Sequence, residues 1–290
     1  MKDYVVRATA AEGTVRAVAA INTNMVKDAI NVHGLSPLAS VALGRTMTAV
    51  SLMSTFLKNE KDTLTIQIKG DGPLGGIVVV SDLNANVRGY VHNPLADLPM
   101  NANGKYDVSG AIGENGYLNV IRDLGLKEPY IGYVKLLTGE IAEDIAYYYA
   151  SSEQIPSVVA LGVLTNSEEL IKCSGGFIIQ LMPDAKENVI SVIEEKIASL
   201  PSVTKLFSDG NSPEDILELI LGDMDLKMGE SSPCQYKCNC SRERMEKSLM
   251  CLGREEIESI IKEQHGAETC CYFCNSKYQF TEEELLRLLD

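Results

Sequence analysis

Residues 234–274, CQYKCNCSRERMEKSLMCLGREEIESIIKEQHGAETCCYFC, hold seven of the chain's eight cysteines, and their spacing decides how the chain is divided. Cys271-Tyr272-Phe273-Cys274 is a CxxC pair, whose tight turn directs two sulfurs to one point. Cys238-Asn239-Cys240 is a CxC pair, a rarer knuckle that is sterically possible. Four thiolates suit a tetrahedral zinc ion with Zn–S distances of about 2.3 Å, and four protein ligands leave no open position for catalysis. The pattern therefore predicts a structural zinc site at Cys238, Cys240, Cys271 and Cys274. Competing readings are a thioredoxin-like dithiol at Cys271 and Cys274, and an iron–sulfur cluster on the same four sulfurs. A redox dithiol needs a helix N-terminus in a βαβ setting. Here Asn275-Ser276-Lys277-Tyr278 reads instead as a knuckle running into a short extended segment.

The remaining candidates carry weaker signals. Cys234 and Cys270 flank the two pairs and compete as ligands. Cys251, between Leu249 and Leu252 in a helical pattern, is expected to pack in an apolar face, and Cys173 is expected inside the large domain. His265 has the chemistry of a ligand, but its position favours a polar residue at a helix end. His33 and His92 have no accompanying ligand pattern.

Working outward, residues 233–290 form a unit of about 58 residues with helical patterning from Ser241 toward Cys251 and from Arg254 toward Gln264. Thr281-Glu282-Glu283-Glu284 reads as a capping box before a last helix. So small a unit has a marginal core, which a metal clip would complete. Before it, residues 181–232 read as an acidic helical linker with four Lys or Arg against eleven Asp or Glu. Val189, Ile190, Ile193, Ile197 and Leu200 form an apolar stripe there, and Ser212-Pro213-Glu214-Asp215 starts a further helix.

Residues 1–180 are expected to form a mixed α/β domain of the α+β class. VVRAT and TVRAVAAI give two strands about Glu12-Gly13, Thr23 is expected to cap a helix running to Gly34, and Ser36-Pro37 opens a second helix through about Phe56. Alternation in TLTIQIK (63–69) and the apolar GIVVVS (76–81) give two more strands across the Asp71-Gly72-Pro73 turn. Further strands are expected at 86–91, 117–122, 131–137, 157–164 and 175–181, with a helix around 141–150. Short, frequent strands favour α+β over regular βαβ units.

A formal charge of −14, from 26 Lys or Arg and 40 Asp or Glu, argues against broad contact with nucleic acid or an anionic membrane. The sequence shows no secretory leader and no apolar run long enough for a membrane span, so a cytoplasmic protein is expected.

With the four cysteines placed, the chain resembles the redox-regulated chaperones of the heat-shock protein 33 family, the 33 kDa chaperonins, over essentially all 290 residues. CNCSRER and CYFCNSKYQF, with 30 residues between Cys240 and Cys271, carry the resemblance, and GDGPLGG and VRGYVHNP agree with it. It implies one zinc ion per reduced chain on Cys238, Cys240, Cys271 and Cys274, and oxidation to the disulfides Cys238–Cys240 and Cys271–Cys274. Zinc release and linker unfolding would follow, giving a non-enzymatic holdase that binds unfolded clients without ATP, commonly as a dimer. The absence of a Walker A ending after GDGPLGG agrees, its glycines being expected in turns. Ile190, Ile193, Ile197, Ile216, Leu217 and Ile220 are the candidate client contacts, buried in the reduced state. The alternatives are a zinc-dependent adaptor or nucleic-acid-binding protein, and a thiol–disulfide oxidoreductase.

Overall fold

The computed structural model describes residues 2–166 and 170–289, which form two compact units, Met1–Lys237 and Cys238–Asp290.

The first unit is organised around one buried helix. Strands β1 (Tyr4–Ala10) and β2 (Val15–Ile21) precede helices α1 (Thr23–His33) and α2 (Pro37–Ser54). Ser36 caps α2 by accepting from the Ala39 amide, with Pro37 in the first turn where its missing N–H costs nothing. All but two of the residues of α2 are buried, which explains why a narrow apolar stripe does not describe it. Its hydroxyls need partners, and Ser40, Thr46, Thr48 and Ser51 each donate to the carbonyl four residues earlier. Gly44 permits the close packing, since a Cβ there would lie 2.8 Å from Val163.

Two sheets enclose this helix. β3 (Thr63–Lys69), β4 (Ile77–Asp82), β5 (Asn86–Val91), β6 (Tyr117–Asp123) and β7 (Tyr130–Lys135) make one, joined by the two-residue β11 (Gln235–Tyr236), in the order β11-β5-β4-β3-β6-β7. The other is β10-β1-β2-β9-β8, with β8 at Ser157–Asn166, β9 at Leu170–Leu181 and β10 at Lys227–Pro233. Every pairing in both is antiparallel except β11 with β5. The α+β expectation therefore holds. GDGPLGG forms the turn between β3 and β4, as its glycines suggested. The short α3 (Val108–Ile112) and α4 (Ala142–Tyr148) complete the inner layer, and a π-helical turn (Tyr149–Glu153) continues α4.

The far face of the second sheet is covered by α5 (Glu187–Ser199), α6 (Val203–Ser208) and α7 (Pro213–Leu221). Ser212 and Asp215 close the expected capping box at the start of α7. Ile193, Ile216, Leu217 and Ile220 are buried there with Val6, Ala17 and Phe177, while Ile190 and Ile197 are half-buried. The segment expected as a linker thus packs within the first unit, and its last part is extended. β10 runs along β1 with Pro233 beside Tyr4. KMGESSP has no alternation to announce a strand; the unpaired edge of β1 supplies its hydrogen bonds.

Thr23 does not cap α1. Asn22 holds that position, and its side chain is engaged with Thr48 and Ser174 rather than with the helix. The Thr23 hydroxyl accepts from the Ser174 amide instead. Gly34 ends the helix with φ 61°, the left-handed conformation glycine adopts without penalty.

In the second unit, α8 (Arg242–Met250), α9 (Arg254–Gln264) and α10 (Glu282–Arg287) surround a hairpin of β12 (Gly266–Cys270) and β13 (Lys277–Thr281). Thr281 and Glu284 close the expected capping box of α10. Leu249, Ile257, Ile261, Phe280 and Leu285 are its buried apolar centre, a small one.

Candidate metal centre

The hairpin and the segment before α8 bring the two cysteine pairs together. At the hairpin tip the Cys271 amide donates to the Ser276 carbonyl at 2.9 Å, and the amides of Cys274 and Asn275 donate back to the Cys271 carbonyl at 3.2 and 2.8 Å. Asn275 turns the chain with φ 55°. This is the knuckle expected after the CxxC pair, and it sits between strands rather than at a helix N-terminus.

The CxC pair is held from the other side. Arg244 donates to the Asn239 side-chain oxygen at 2.7 Å, and the Ser241 hydroxyl accepts from the Arg244 amide at the start of α8. Arg242 lies 4.4 Å over the Phe280 ring and pairs with Glu284 at 2.7 Å, tying α8 to β13 and α10.

All four sulfurs lie within 4.8 Å of one another, with Cys238 and Cys271 at 3.7 Å and Cys240 and Cys274 at 3.3 Å. A tetrahedral zinc ion with bonds of about 2.3 Å holds its sulfurs about 3.8 Å apart. The separations and the soft donor set fit that ion. Cys271 is buried and the other three are half-buried, which keeps the sulfurs in a low-dielectric corner of the unit.

Their electrostatics are uneven. Burial, together with neighbouring thiols, raises Cys238 and Cys271 above the usual thiol range. Burial also opposes ionisation of Cys274, but hydrogen bonds with Ser276 outweigh it and bring this thiol down to about 7. A divalent cation among them would favour all four thiolates.

The other cysteines are elsewhere. Cys234 is 4 % exposed in the core of the first unit, its thiol pushed up to about 12 by burial and by Asp3. It is therefore not among the clustered sulfurs, despite standing four residues from Cys238. Cys270 lies on β12, exposed, one residue outside the knuckle. Cys251 corrects an expectation: it is exposed at the end of α8, because Leu249 alone of that stretch turns inward. Cys173 is buried as expected. His265 caps α9 in the left-handed conformation and faces Glu282 at 3.3 Å, a helix-end residue rather than a ligand. His33 bonds Tyr236 at 2.9 Å, and His92 stacks on Tyr90.

Sequence reading missed Tyr278. Its hydroxyl lies 3.1 Å from the Cys240 sulfur. The alternation of KYQF, with Tyr278 and Phe280 on one face of β13, was the available signal.

Known proteins resemble this chain over nearly its whole length. A family model described as "Hsp33 protein" matches residues 3–281. A 33 kDa chaperonin of Acetivibrio thermocellus is 65 % identical over 289 residues, covering 100 % of this chain and 97 % of that protein. One of Ruminiclostridium cellulolyticum is 56 % identical over 285 residues, covering 98 % and 97 %. The crystal structure of a Thermotoga maritima 33 kDa chaperonin superposes with a TM-score of 0.92 at 42 % identity, covering 100 % of this chain and 98 % of that one.

Proposed function

This chain belongs to the Hsp33 family, and on that premise we propose that it is a chaperone of the holdase type, switched on when the four clustered thiols are oxidised. The observation that carries this reading is the mutual approach of Cys238, Cys240, Cys271 and Cys274 to within 4.8 Å, in a unit whose apolar centre is small.

In the reduced chain these four residues would hold one zinc ion. A structural zinc ion in a small finger supplies apparent binding energy of about 10–16 kcal/mol, comparable to or above the stability of a whole domain. Oxidation removes the ligands in pairs. Cys238 with Cys240, and Cys271 with Cys274, each form one S–S bond; the two thiolates of each pair give two electrons to one peroxide molecule, which takes two protons from solvent and leaves as two waters. Disulfides accept no cation, so the second unit loses what its core cannot replace and unfolds.

The chain itself carries the consequence back. β11 ends at Tyr236, two residues before Cys238, and comprises only two residues. The seven residues of β10 are all exposed. β10 is held mainly by edge hydrogen bonds and β11 by its short pairing with β5 and the packing of Tyr236, and a disordered tail beyond Lys237 favours fraying from that end. Release of residues 181–232 would uncover the apolar faces of α5 and α7, including Ile193, Ile216, Leu217 and Ile220. An unfolded client offers apolar surface in return, and the association needs no nucleotide. A homodimer of the oxidised form would enlarge that surface. Among the described residues no helix is long and apolar enough to cross a membrane; the expected cytoplasmic setting, with thiols held reduced until stress, is part of the same proposal.

The test follows zinc release, amide exchange in residues 181–237 and suppression of client aggregation in one sample treated with peroxide. Protection of a client while the 181–237 amides stay protected would overturn the mechanism. Turnover of a disulfide substrate with zinc retained would favour an oxidoreductase instead.

A further inference from the structure

A second built site lies in the first unit, among residues the thiol chemistry does not use. A half-open cavity of about 350 Å³ sits where β2, the end of α2, β6 and the π-helical turn meet. That is at the small end of ligand pockets, which run about 300–1,000 Å³. Phe56, Leu57, Leu64 and Ile155 give it apolar walls, with Arg16, Arg122 and Tyr149 among its polar lining.

The polar groups do not balance. Two acids line the cavity, and both are occupied. Asp62 accepts from the amides of Lys58 and Asn59 and from the Asn59 side chain. Glu153 pairs with Arg122 at 3.0 Å and accepts from the Tyr148 hydroxyl. Arg16 has no carboxylate within ion-pair distance among the described residues; its Nε donates to the buried Gln180 side chain at 2.7 Å and its guanidinium lies 4.4 Å over the Phe56 ring. Gln180 is itself fixed by donating to Ser157. Tyr149 is 2 % exposed, and its hydroxyl has no hydrogen-bond partner among the described residues. Lys58 adds another cation at the exposed mouth.

A buried hydroxyl without a partner costs about 1–3 kcal/mol, and a half-buried guanidinium without a counter-charge is also unfavourable. Burial does lower the pKa of Arg16, with Arg122 adding to it and Tyr149 and Glu153 opposing it. Such groups persist where something else uses them. π-Helical turns, of the kind that places Tyr149 and Glu153 here, recur at functional sites.

We propose that this cavity binds a carboxylate carried on a small apolar body, with Arg16 and Tyr149 receiving the carboxylate and Phe56 and Leu64 the apolar part. The unfilled groups can all donate and the net unbalanced charge is positive, so the polar end of the ligand is an anion. The planar fork of Arg16 matches a carboxylate. Two sources present that chemistry: a free organic acid, and the C-terminus of a peptide ending in an apolar residue.

Calorimetric titration of the full-length reduced, zinc-loaded protein separates them. The probes are 3-phenylpropanoate and its neutral amide, and a hexapeptide ending in Phe with a free or an amidated C-terminus. Saturable binding of at least one carboxylate, with its amide at least about tenfold weaker, is expected, and which carboxylate binds identifies the source. Tyr149→Phe and Arg16→Gln should each weaken it about tenfold or more. Tyr149→Phe should also leave the melting temperature of the free protein unchanged or raised, since it deletes an unsatisfied group. A melting temperature lowered by Tyr149→Phe, with carboxylate affinity unchanged, would mark the cluster as purely structural. No saturation by either carboxylate up to about 10 mM, or equal binding of acid and amide, would overturn the proposal.

Discussion

The Tyr278 hydroxyl lies 3.1 Å from the Cys240 sulfur, a hydrogen bond in which either atom can donate and in which Tyr278 is the donor once Cys240 is a zinc-bound thiolate. Donation into a thiolate withdraws charge from it and fixes its direction. Outer partners of this kind typically change metal affinity about 10–100-fold when removed. Tyr278→Phe keeps the ring in the apolar centre and removes only the donor. It should lower zinc affinity about tenfold and speed zinc release by peroxide, both read with a chromogenic chelator. Unchanged affinity and release rate would make the contact incidental.

Reduced protein should carry one zinc ion per chain with four sulfur neighbours in zinc-edge absorption. Cys271→Ser should abolish stable binding, because it removes one of the four clustered sulfurs while leaving the main-chain bonds of the knuckle in place. Cys251→Ser and Cys234→Ser should leave the stoichiometry at one, the first residue being exposed on α8 and the second buried in the other unit. Zinc loss in either would show that the wrong sulfurs were chosen.

The sequence made the four-cysteine cluster legible because each part of it is local: CxxC sets one half, CxC the other, and Ser241 and Thr281 mark helix starts. Most strands were legible for the same reason, from alternation such as TLTIQIK. What escaped depends on distant partners. β10 is a strand only because β1 offers an edge, and Asn22 gives up a capping role to bond Thr48 and Ser174. Cys234 and Cys238 look alike on paper, four residues apart, yet one joins the core of the first unit and the other the sulfur cluster. Cys251 sits between Leu249 and Leu252 in an apolar-looking stretch of which only Leu249 is buried.

Cys234 is a built-in reporter of linker release. Its amide bonds the Asp3 carbonyl, its thiol is buried, and at about 12 its pKa leaves almost no thiolate at pH 8. In reduced protein it should resist alkylation while Cys251 and Cys270 are modified. After the clustered thiols are oxidised, β10 and β11 should detach and Cys234 should label at a rate approaching that of an exposed thiol. Mass spectrometry of the alkylated peptides reads this directly. Labelling of Cys234 in reduced protein as fast as Cys251 would refute it.

Acid should loosen α7 before it unfolds the chain. Hydrogen bonds from the Ser212 side chain and amide hold Asp215 below the ordinary carboxylate range. A depressed folded pKa means stability fully present above the unfolded value of about 3.9 and lost as pH falls through the folded one. Amide protection in residues 213–221 should therefore be constant near neutrality and fall below about pH 4. Ser212→Ala should cost about 1 kcal/mol at pH 7 and flatten that acid dependence. A variant with unchanged protection at neutral pH would show that the cap adds nothing.

The most direct handle on the switch is Ile220, fully buried where α7 lies on β1 and β2. Ile220→Ala removes apolar contact and leaves a cavity, costing about 2–5 kcal/mol. Ile220 belongs to the first unit, and the second unit, which holds the sulfurs, has its own core, so zinc binding should be untouched. The loss falls on the segment proposed to open, which rests on one sheet face and on exposed edge strands. Reduced, zinc-loaded Ile220→Ala should therefore suppress client aggregation without oxidant, with faster amide exchange confined to residues 181–237. Leu219→Ala is the control: Leu219 is 46 % exposed on the same helix, and its loss should change neither readout. If Ile220→Ala loosens the helices while the reduced protein still fails to hold a client, uncovering α7 is not what activates the chain. The apolar surface that clients meet would then have to lie outside the face that α5 to α7 share with the sheet.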